Sequence, residues 1–190
     1  MKKIILFLSI ILLASCGGDD TPKEKPKPIA LTPDDVGYYM QMIVADHAGP
    51  KAQLWLDDKS KPIWFVDVRD AITFTRTPEE ADNIAVIYAH DMAKNSDYRN
   101  VKDIWVELDK AVFVIKSRKK GGMGMPETIP FSNKKIAEEF IKTNGGELVN
   151  SIAEVTDEYL RSMGDTTDMD PNDRMKCGNG MKCGNKKCGG

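Results

Sequence analysis

The alternation of apolar and polar positions predicts that the middle of the chain begins with a hairpin. Residues 52–56 and 62–65 flank a polar turn, which is the pattern of two paired strands. Apolar side chains then recur at helical spacing, and Asp67 is predicted to cap this helix, with Asp70 completing a capping box. A buried strand is predicted at residues 84–89. The first half therefore has the predicted order strand, strand, helix, strand.

The second half of the chain predicts the same order. A short strand at residues 105–108 precedes a clear strand at 111–115 and another at 128–131. An amphipathic helix follows, capped by Ser132 or Asn133, and the glycines after it tolerate the positive φ of a helix end. A closing strand is predicted just beyond these glycines.

Matching residues in the two halves indicate a duplicated unit. Each half has a Phe at the end of a strand, an Asx cap, an Ala at the helix–sheet contact and a second Phe. The repeat predicts an α+β fold of two ββαβ lobes, about residues 36–100 and 101–163, with mostly antiparallel sheets and helices on one side. A final helix over residues 151–163 is predicted to cover an edge. The matched sets are Phe65, Asp67, Ala71 and Phe74, and Phe131, Asn133, Ala137 and Phe140.

The N-terminus has the pattern of a bacterial export signal. A basic start precedes an apolar run over residues 4–13 that is too short to span a bilayer, and small residues lead to Cys16. This pattern resembles a lipobox, which implies cleavage after a signal peptide of residues 1–15 and lipidation of Cys16. The alternative is a plain cleaved signal with a free cysteine. A lipid anchor would hold the protein on a bacterial membrane, facing the periplasm or the outside.

Composition limits what the mature chain can be. Residues 16–35 are rich in Lys, Pro and Asp and predict a flexible, solvated tether that follows the lipidated N-terminus. The net charge is −2, with no basic stripe interleaved with aromatics, which argues against nucleic-acid binding. Residues 17–176 contain no cysteine, so internal disulfides are excluded there.

Methionines are the candidate ligands of the body. Met40 and Met42 would point to the same side of an extended segment, so both sulfurs could reach one soft metal ion. The alternative is that they fill a core. Met123 and Met125 lie in a glycine-rich loop, residues 121–126, where glycines allow close backbone approach. Metal or partner contact explains such a bare loop better than packing does.

The tail, residues 164–190, repeats soft ligands without apolar residues. Met-Lys-Cys-Gly occurs twice and Lys-Cys-Gly follows, placing Cys177, Cys183 and Cys188 among lysines and glycines. This composition predicts disorder until a metal binds. Thiolates with thioethers suit Cu(I) better than a closed zinc site. The alternative is one disulfide with a spare thiol.

Together these residues resemble the NosL family, the copper-binding accessory lipoproteins of nitrous oxide reductase. The similarity extends from about Tyr38 to Tyr159. It rests on short matches in order along the chain: Gln41-Met42, residues 46–53, Trp64-Phe65, residues 68–71, 78–80, Ile87-Tyr88, Asp91-Met92, residues 121–124, Pro126-Glu127 and Pro130-Phe131.

The resemblance implies a Cu(I)-binding protein of paired ββαβ lobes, related in shape to organomercurial lyase. It also implies delivery of copper toward nitrous oxide reductase, with an ABC-type membrane transporter as partner. Met42, Met123 and His47 match family positions, whereas the family's usual Cys is replaced by Met40. A thioether in place of a thiolate should weaken Cu(I) binding and remove its pH dependence. Cys177, Cys183 and Cys188 are expected to restore the missing thiolates, by folding onto the body or by holding copper separately.

The expected function is therefore that of a non-enzymatic copper chaperone, since the sequence has no Ser/His/Asp, Cys/His or phosphate-loop motif. One alternative is a copper-sequestering lipoprotein that uses the tail. A structural adaptor for the transporter, which binds no metal, is another. An enzyme of the organomercurial-lyase type would need thiolates within the fold.

Overall fold

Two antiparallel sheets form the body in the computed structural model, which describes residues 24–80 and 83–162. Within these ranges no helix has the length and apolar character needed to cross a bilayer. The signal peptide, Cys16 and the tail from residue 164 lie outside the described residues. The strands are β1 (Ala52–Leu56), β2 (Ile63–Phe65), β3 (Ile84–His90), β4 (Trp105–Glu107), β5 (Val112–Ile115), β6 (Ile129–Phe131) and β7 (Glu147–Val149). The helices are α1 (Val68–Phe74), α2 (Lys134–Asn144) and α3 (Asp157–Arg161).

The predicted α+β fold with a repeated ββαβ unit is confirmed. The first unit is β1-β2-α1-β3 and the second is β5-β6-α2-β7, and in each the first strand pairs with the other two. The rings of Phe65 and Phe74 lie 5.6 Å apart, and those of Phe131 and Phe140 lie 5.3 Å apart. The two units therefore close their helices onto their sheets with the same aromatic pair.

The main hydrophobic core is shared by both sheets. It includes Leu54 of the first sheet, Ile72 of α1 and Phe113 of the second sheet, all fully buried. A smaller cluster fills the space between the second sheet and α2. Helix α1 also contacts α3, and Ile72 of α1 and Tyr159 of α3 are buried in the same core.

The predicted boundary between the lobes near residue 100 is wrong for β4. This strand pairs with β3, His90 opposite Trp105, and so belongs to the first sheet. The segment before β4 was predicted in the first lobe but packs with the second, since Met92 and Tyr98 belong to the cluster of the second sheet. Pairing with the exposed edge of β3 gives β4 backbone partners that the sequence pattern alone could not assign.

The predicted final helix over residues 151–163 is interrupted. A short 3-10 turn at Ile152–Glu154 ends at Val155, which is extended and fully buried. Thr156 then begins α3, and its side-chain oxygen accepts a hydrogen bond from the backbone N–H of Tyr159. The helix packs against α1 rather than covering a sheet edge.

The predicted tether, residues 16–35, contacts the first sheet from residue 25 onward. The part from residue 25 to 35 is therefore not a free, solvated linker. Gln53 binds the backbone of Ile29 in both directions, accepting from N–H at 3.0 Å and donating to the carbonyl at 2.9 Å. The hydroxyl of Tyr88 donates to the carbonyl of Pro26 at 2.8 Å. Gln53 is fully buried, so the segment replaces water over the face opposite the core.

We expect Gln53→Leu to lower the free energy of unfolding by about 1–3 kcal/mol, because it removes the buried partner of Ile29 and of the Trp55 indole N–H. Denaturant unfolding measures the loss. Lys25→Ala is the control, since its ion pair with Glu107 is exposed on the Lys side and should contribute little to stability. Equal losses in both variants would contradict the role given to Gln53.

Candidate metal centre

Met40 and Met42 lie in a tight turn, so the predicted extended arrangement is wrong. The N–H of Gly37 donates to the carbonyl of Met42 at 2.9 Å, and Gln41 between the two methionines has φ of 52°. A left-handed residue at this place breaks the alternation on which the same-side argument depended. Tyr38 anchors the turn to the core, because its ring packs edge-to-face against that of Phe74, with the ring centroids 5.3 Å apart.

The glycine-rich loop approaches the first lobe as closely as its sequence predicts. A side chain at Gly121 would place its Cβ 2.6 Å from the Asp67 carboxylate, and one at Gly122 would meet His47 Cβ at 2.6 Å. The loop closes on itself where the N–H of Gly121 donates to the carbonyl of Met125 at 2.9 Å. Only glycine fits at these two positions, and Met123 stands near the tip of the loop.

One small depression brings Met40 and Met123 together. Met40 is 58% exposed, while Met123 is partly buried and packs against the cluster formed by Val44, Trp64 and Val66. Met42 is 36% exposed and does not line this depression. The residues that line it are Gly37, Tyr38, Tyr39, Met40, Phe65, Val66, Asp70 and Met123.

His47 is tied directly to the methionine loop. Its Nδ1 lies 3.2 Å from the carbonyl oxygen of Gly122. A carbonyl can only accept, so this contact favours the tautomer with the proton on Nδ1 and leaves Nε2 as the acceptor. Metal-binding histidines are commonly oriented by such a bond from the other ring nitrogen.

Comparison with known proteins identifies the family to which this fold and this loop belong. A family model named NosL matches residues 28–160. The chain is 36% identical over 159 residues to the copper-binding lipoprotein NosL of Achromobacter cycloclastes, over 83% of this chain and 81% of that protein. The chain belongs to the NosL family.

A solved NosL structure has the same fold. The crystal structure of the copper chaperone NosL from Shewanella denitrificans is similar with a TM-score of 0.65 and 28% sequence identity. The match covers 71% of this chain and 98% of that one. Nearly all of that structure therefore has a counterpart in this chain.

In this NosL-family chain two buried carboxylates hold the methionine loop in place. Asp67 Oδ1 accepts from the N–H of Gly122 at 2.6 Å. Glu127 accepts from the N–H groups of Val68 and Arg69 at 3.2 and 3.0 Å. The predicted capping box of Asp67 and Asp70 is therefore wrong, because Glu127 from the second unit takes the helix N–H groups and frees Asp67 to bind the loop.

Burial shifts the pKa values of the ionisable groups where the methionine loop meets the start of α1. It raises the pKa of Glu127 well above its usual range, and the negative charge of Asp67 raises it further. Burial also raises the pKa of Asp67, against the opposing effect of the Lys51 cation. The pKa of Lys51 itself is lowered by burial to about 8. Both carboxyl shifts favour protonation, so the junction carries less negative charge than two free carboxylates would.

His90, the second histidine, has a structural role. It is 1% exposed, and its ring lies 4.0 Å from that of Trp105, centroid to centroid. Nδ1 accepts from the N–H of Lys51 at 3.2 Å, while Nε2 lies 3.1 Å from a carboxylate oxygen of Asp103. Burial lowers the pKa of His90 to about 4, so it stays neutral with both nitrogens engaged.

Sequence reasoning missed the acidic residues of the site. Asp67 and Asp70 were assigned only to a helix cap, and Glu127 only to the family match. An available signal was Glu127 itself, an acid just before the apolar strand β6. Over the described ranges, no three His, Cys, Asp or Glu side chains form a metal-binding cluster. Cys177, Cys183 and Cys188 lie outside those ranges.

We expect Asp70→Asn to stabilise the protein at neutral pH. Burial, and then the charge of Asp67, raises the pKa of Asp70 to about 6. Between about pH 4 and 6 the folded state keeps this proton while the unfolded state loses it, so stability falls as pH rises through that window. The variant should gain up to about 2 kcal/mol at pH 7 and none near pH 3.5. Denaturant titrations at several pH values measure this, and a pH-independent difference would contradict the assignment.

Proposed function

We propose that this chain is a non-enzymatic copper chaperone that binds Cu(I) in the depression between Met40 and Met123. The observation that carries the proposal is the convergence of two methionines from separate loops, with His47 hydrogen-bonded to one of those loops. The names of its relatives, a copper-binding lipoprotein and a copper chaperone, support the choice of metal.

The ligands suit a metal that is held and then passed on. Thioethers and imidazole are soft or borderline neutral ligands, which favour Cu(I) over Mg²⁺ or Ca²⁺. They leave the positive charge of the ion uncompensated, and Asp70 in the wall of the depression supplies a nearby carboxylate. Met42, which does not line the depression, matches the family position and is proposed as a ligand during entry or exit. An exposed Met40 permits ligand exchange with a partner.

The family and the N-terminal sequence support a role at a bacterial membrane. We propose that Cys16 carries lipid and anchors the protein to a bacterial membrane, with the domain in the periplasm or outside. The copper would be delivered for assembly of the copper centre of nitrous oxide reductase, with an ABC-type transporter as partner. Transfer from loaded protein to apo-reductase, followed by the appearance of activity, tests this route.

A copper-sequestering role is the second candidate, favoured by the three cysteines of the tail. Thiolates hold Cu(I) more tightly than thioethers and exchange it less readily. A buffer would retain copper in the presence of the reductase or transporter, whereas a chaperone would release it. An adaptor without metal would bind the transporter equally well when loaded and when empty.

Met123→Ala should weaken Cu(I) binding at least tenfold in a chain whose tail cysteines are replaced by serine, because one of two converging thioethers is lost. Competition against a chromophoric Cu(I) chelator measures the affinity. Met125→Ala is the matched control from the same loop, outside the depression, and should change affinity little. Similar losses in both variants would indicate a loop effect rather than a lost ligand.

Met40→Cys should tighten Cu(I) binding in the same serine background and make the affinity rise with pH. A thiolate binds Cu(I) more strongly than a thioether, and a thiol must release its proton to bind. The chelator competition is repeated at pH 6, 7 and 8. Unchanged affinity at all three values would place Met40 outside the site.

A further inference from the structure

The ring of His47 is hydrogen-bonded to one residue of the methionine loop, residues 121–126. His47 follows the short turn at Val44–Asp46 and is partly exposed. Its Nδ1 lies 3.2 Å from the carbonyl oxygen of Gly122. Because a carbonyl can only accept, the ring keeps its proton on Nδ1 while this bond is present. Nε2 is then the nitrogen that has a lone pair to donate.

The backbone of Gly122 is held on its other side by Asp67. The N–H of Gly122 donates to Oδ1 of the buried Asp67 at 2.6 Å. The N–H and the carbonyl of one residue flank the same Cα, so a bond that fixes the N–H limits the directions that the carbonyl can take. The side chain of Asp67 makes no cap bond to α1, so its carboxylate acts on the loop rather than on the helix.

Two consecutive glycines make the loop dependent on such a bond. Glycine has access to more backbone conformations than other residues, so Gly121 and Gly122 do not by themselves select one direction for the carbonyl. Packing restricts where the pair lies, since a Cβ on Gly122 would stand 2.6 Å from His47 Cβ and 2.9 Å from Val66 Cγ1. The direction of the carbonyl is left to hydrogen bonding, and Asp67 supplies the bond at the N–H.

The tautomer of His47 decides which of its nitrogens can bind a metal. A neutral imidazole has one proton, and only the nitrogen without it can donate a lone pair. In a histidine ring surrounded by water the proton lies mainly on Nε2, so the bond to Gly122 reverses the ordinary preference. Partners that fix the tautomer of a metal-binding histidine commonly contribute about 10–100-fold to metal affinity.

We propose that Asp67 is a positioning residue of the copper site. Its carboxylate holds the N–H of Gly122 so that the Gly122 carbonyl keeps the His47 proton on Nδ1 and presents Nε2 to Cu(I). Asp67 does not line the depression and acts through the backbone of the loop. The inference rests on the proposed function, because the tautomer of His47 matters to copper only if the ion binds beside Met123.

The chain has two histidines, so the tautomer of each ring can be measured separately. Both rings are labelled with ¹⁵N in the chain from residue 17 to 190 whose tail cysteines are changed to serine, and ¹⁵N–¹H spectra are recorded without copper at pH 8. The proton of His47 should be on Nδ1. That of His90 should be on Nε2, because its Nδ1 accepts from the N–H of Lys51. His90 is therefore an internal reference with the opposite tautomer.

Three variants in this background separate positioning from folding. Asp67→Ala should move the His47 proton toward Nε2 and weaken Cu(I) binding about tenfold or more in chelator competition, with His90 unchanged. Asp67→Asn keeps an oxygen acceptor of the same reach, so it should preserve the tautomer and most of the affinity. Asp103→Asn is the matched control, because that carboxylate contacts the other histidine and should leave His47 and the affinity unchanged.

A His47 proton on Nε2 before any change at Asp67 would overturn the inference, so the test does not depend on the folding of Asp67→Ala. An unchanged tautomer in folded Asp67→Ala would also overturn it, as would a shifted tautomer with unchanged Cu(I) affinity. Equal losses of affinity in Asp67→Ala and Asp67→Asn would indicate an effect of charge and contradict positioning. In these cases Met123 could still bind copper.

Failure of the proposed function has a different signature. The unsubstituted loop would then show the expected tautomers of His47 and His90 without copper, and the chain would bind no Cu(I). That result would overturn the copper role of Asp67 together with the proposed site.

Discussion

The buried carboxylates at the start of α1 connect the two halves of the molecule and position its candidate metal site. Glu127, from the second unit, accepts the first N–H groups of a helix that belongs to the first unit. Asp67 is thereby released to hold the backbone of Gly122, and Met123 follows in the chain. Burying such groups is costly unless every oxygen is hydrogen-bonded, so the arrangement is stable only while the loop, the helix and the second sheet stay together.

The backbone around the candidate metal site is supported at two places. The loop that carries Met123 is held by hydrogen bonds to its backbone, so the position of the loop does not depend on the thioether alone. The turn that carries Met40 is held by aromatic contacts with the core, where the ring centroids of Tyr39 and Phe65 lie 5.9 Å apart. Rigid support under polarisable side chains suits a protein that accepts a soft ion and then releases it by exchange.

The repeat could be predicted from the sequence because the same helix–sheet packing occurs in both units. A Phe, an Ala and a second Phe at fixed spacing allow a short helix to pack on a sheet, so Phe65 and Phe131 were informative. The order of strands within each unit followed from the same pattern. The loop glycines were also informative, because Gly121 and Gly122 stand where any side chain would collide.

What the sequence could not supply were contacts between distant segments. Nothing local indicates that Glu127 reaches α1, that β4 pairs with β3, or that Ile29 binds Gln53. The turn at Gln41 was missed for a related reason, since its left-handed backbone is selected by the hydrogen bond between Gly37 and Met42 rather than by a glycine. The methionine pair predicted along the chain was therefore replaced by a pair across two loops.

The central claim is that Cu(I) binds between the turn of Met40 and the loop of Met123. Anomalous diffraction at the copper edge, on crystals of the Cu(I)-loaded chain, tests it most directly. The account predicts a single strong peak in the depression, within bonding distance of the sulfurs of Met40 and Met123 and beside His47. A copper peak elsewhere on the body, with none in the depression, would contradict it.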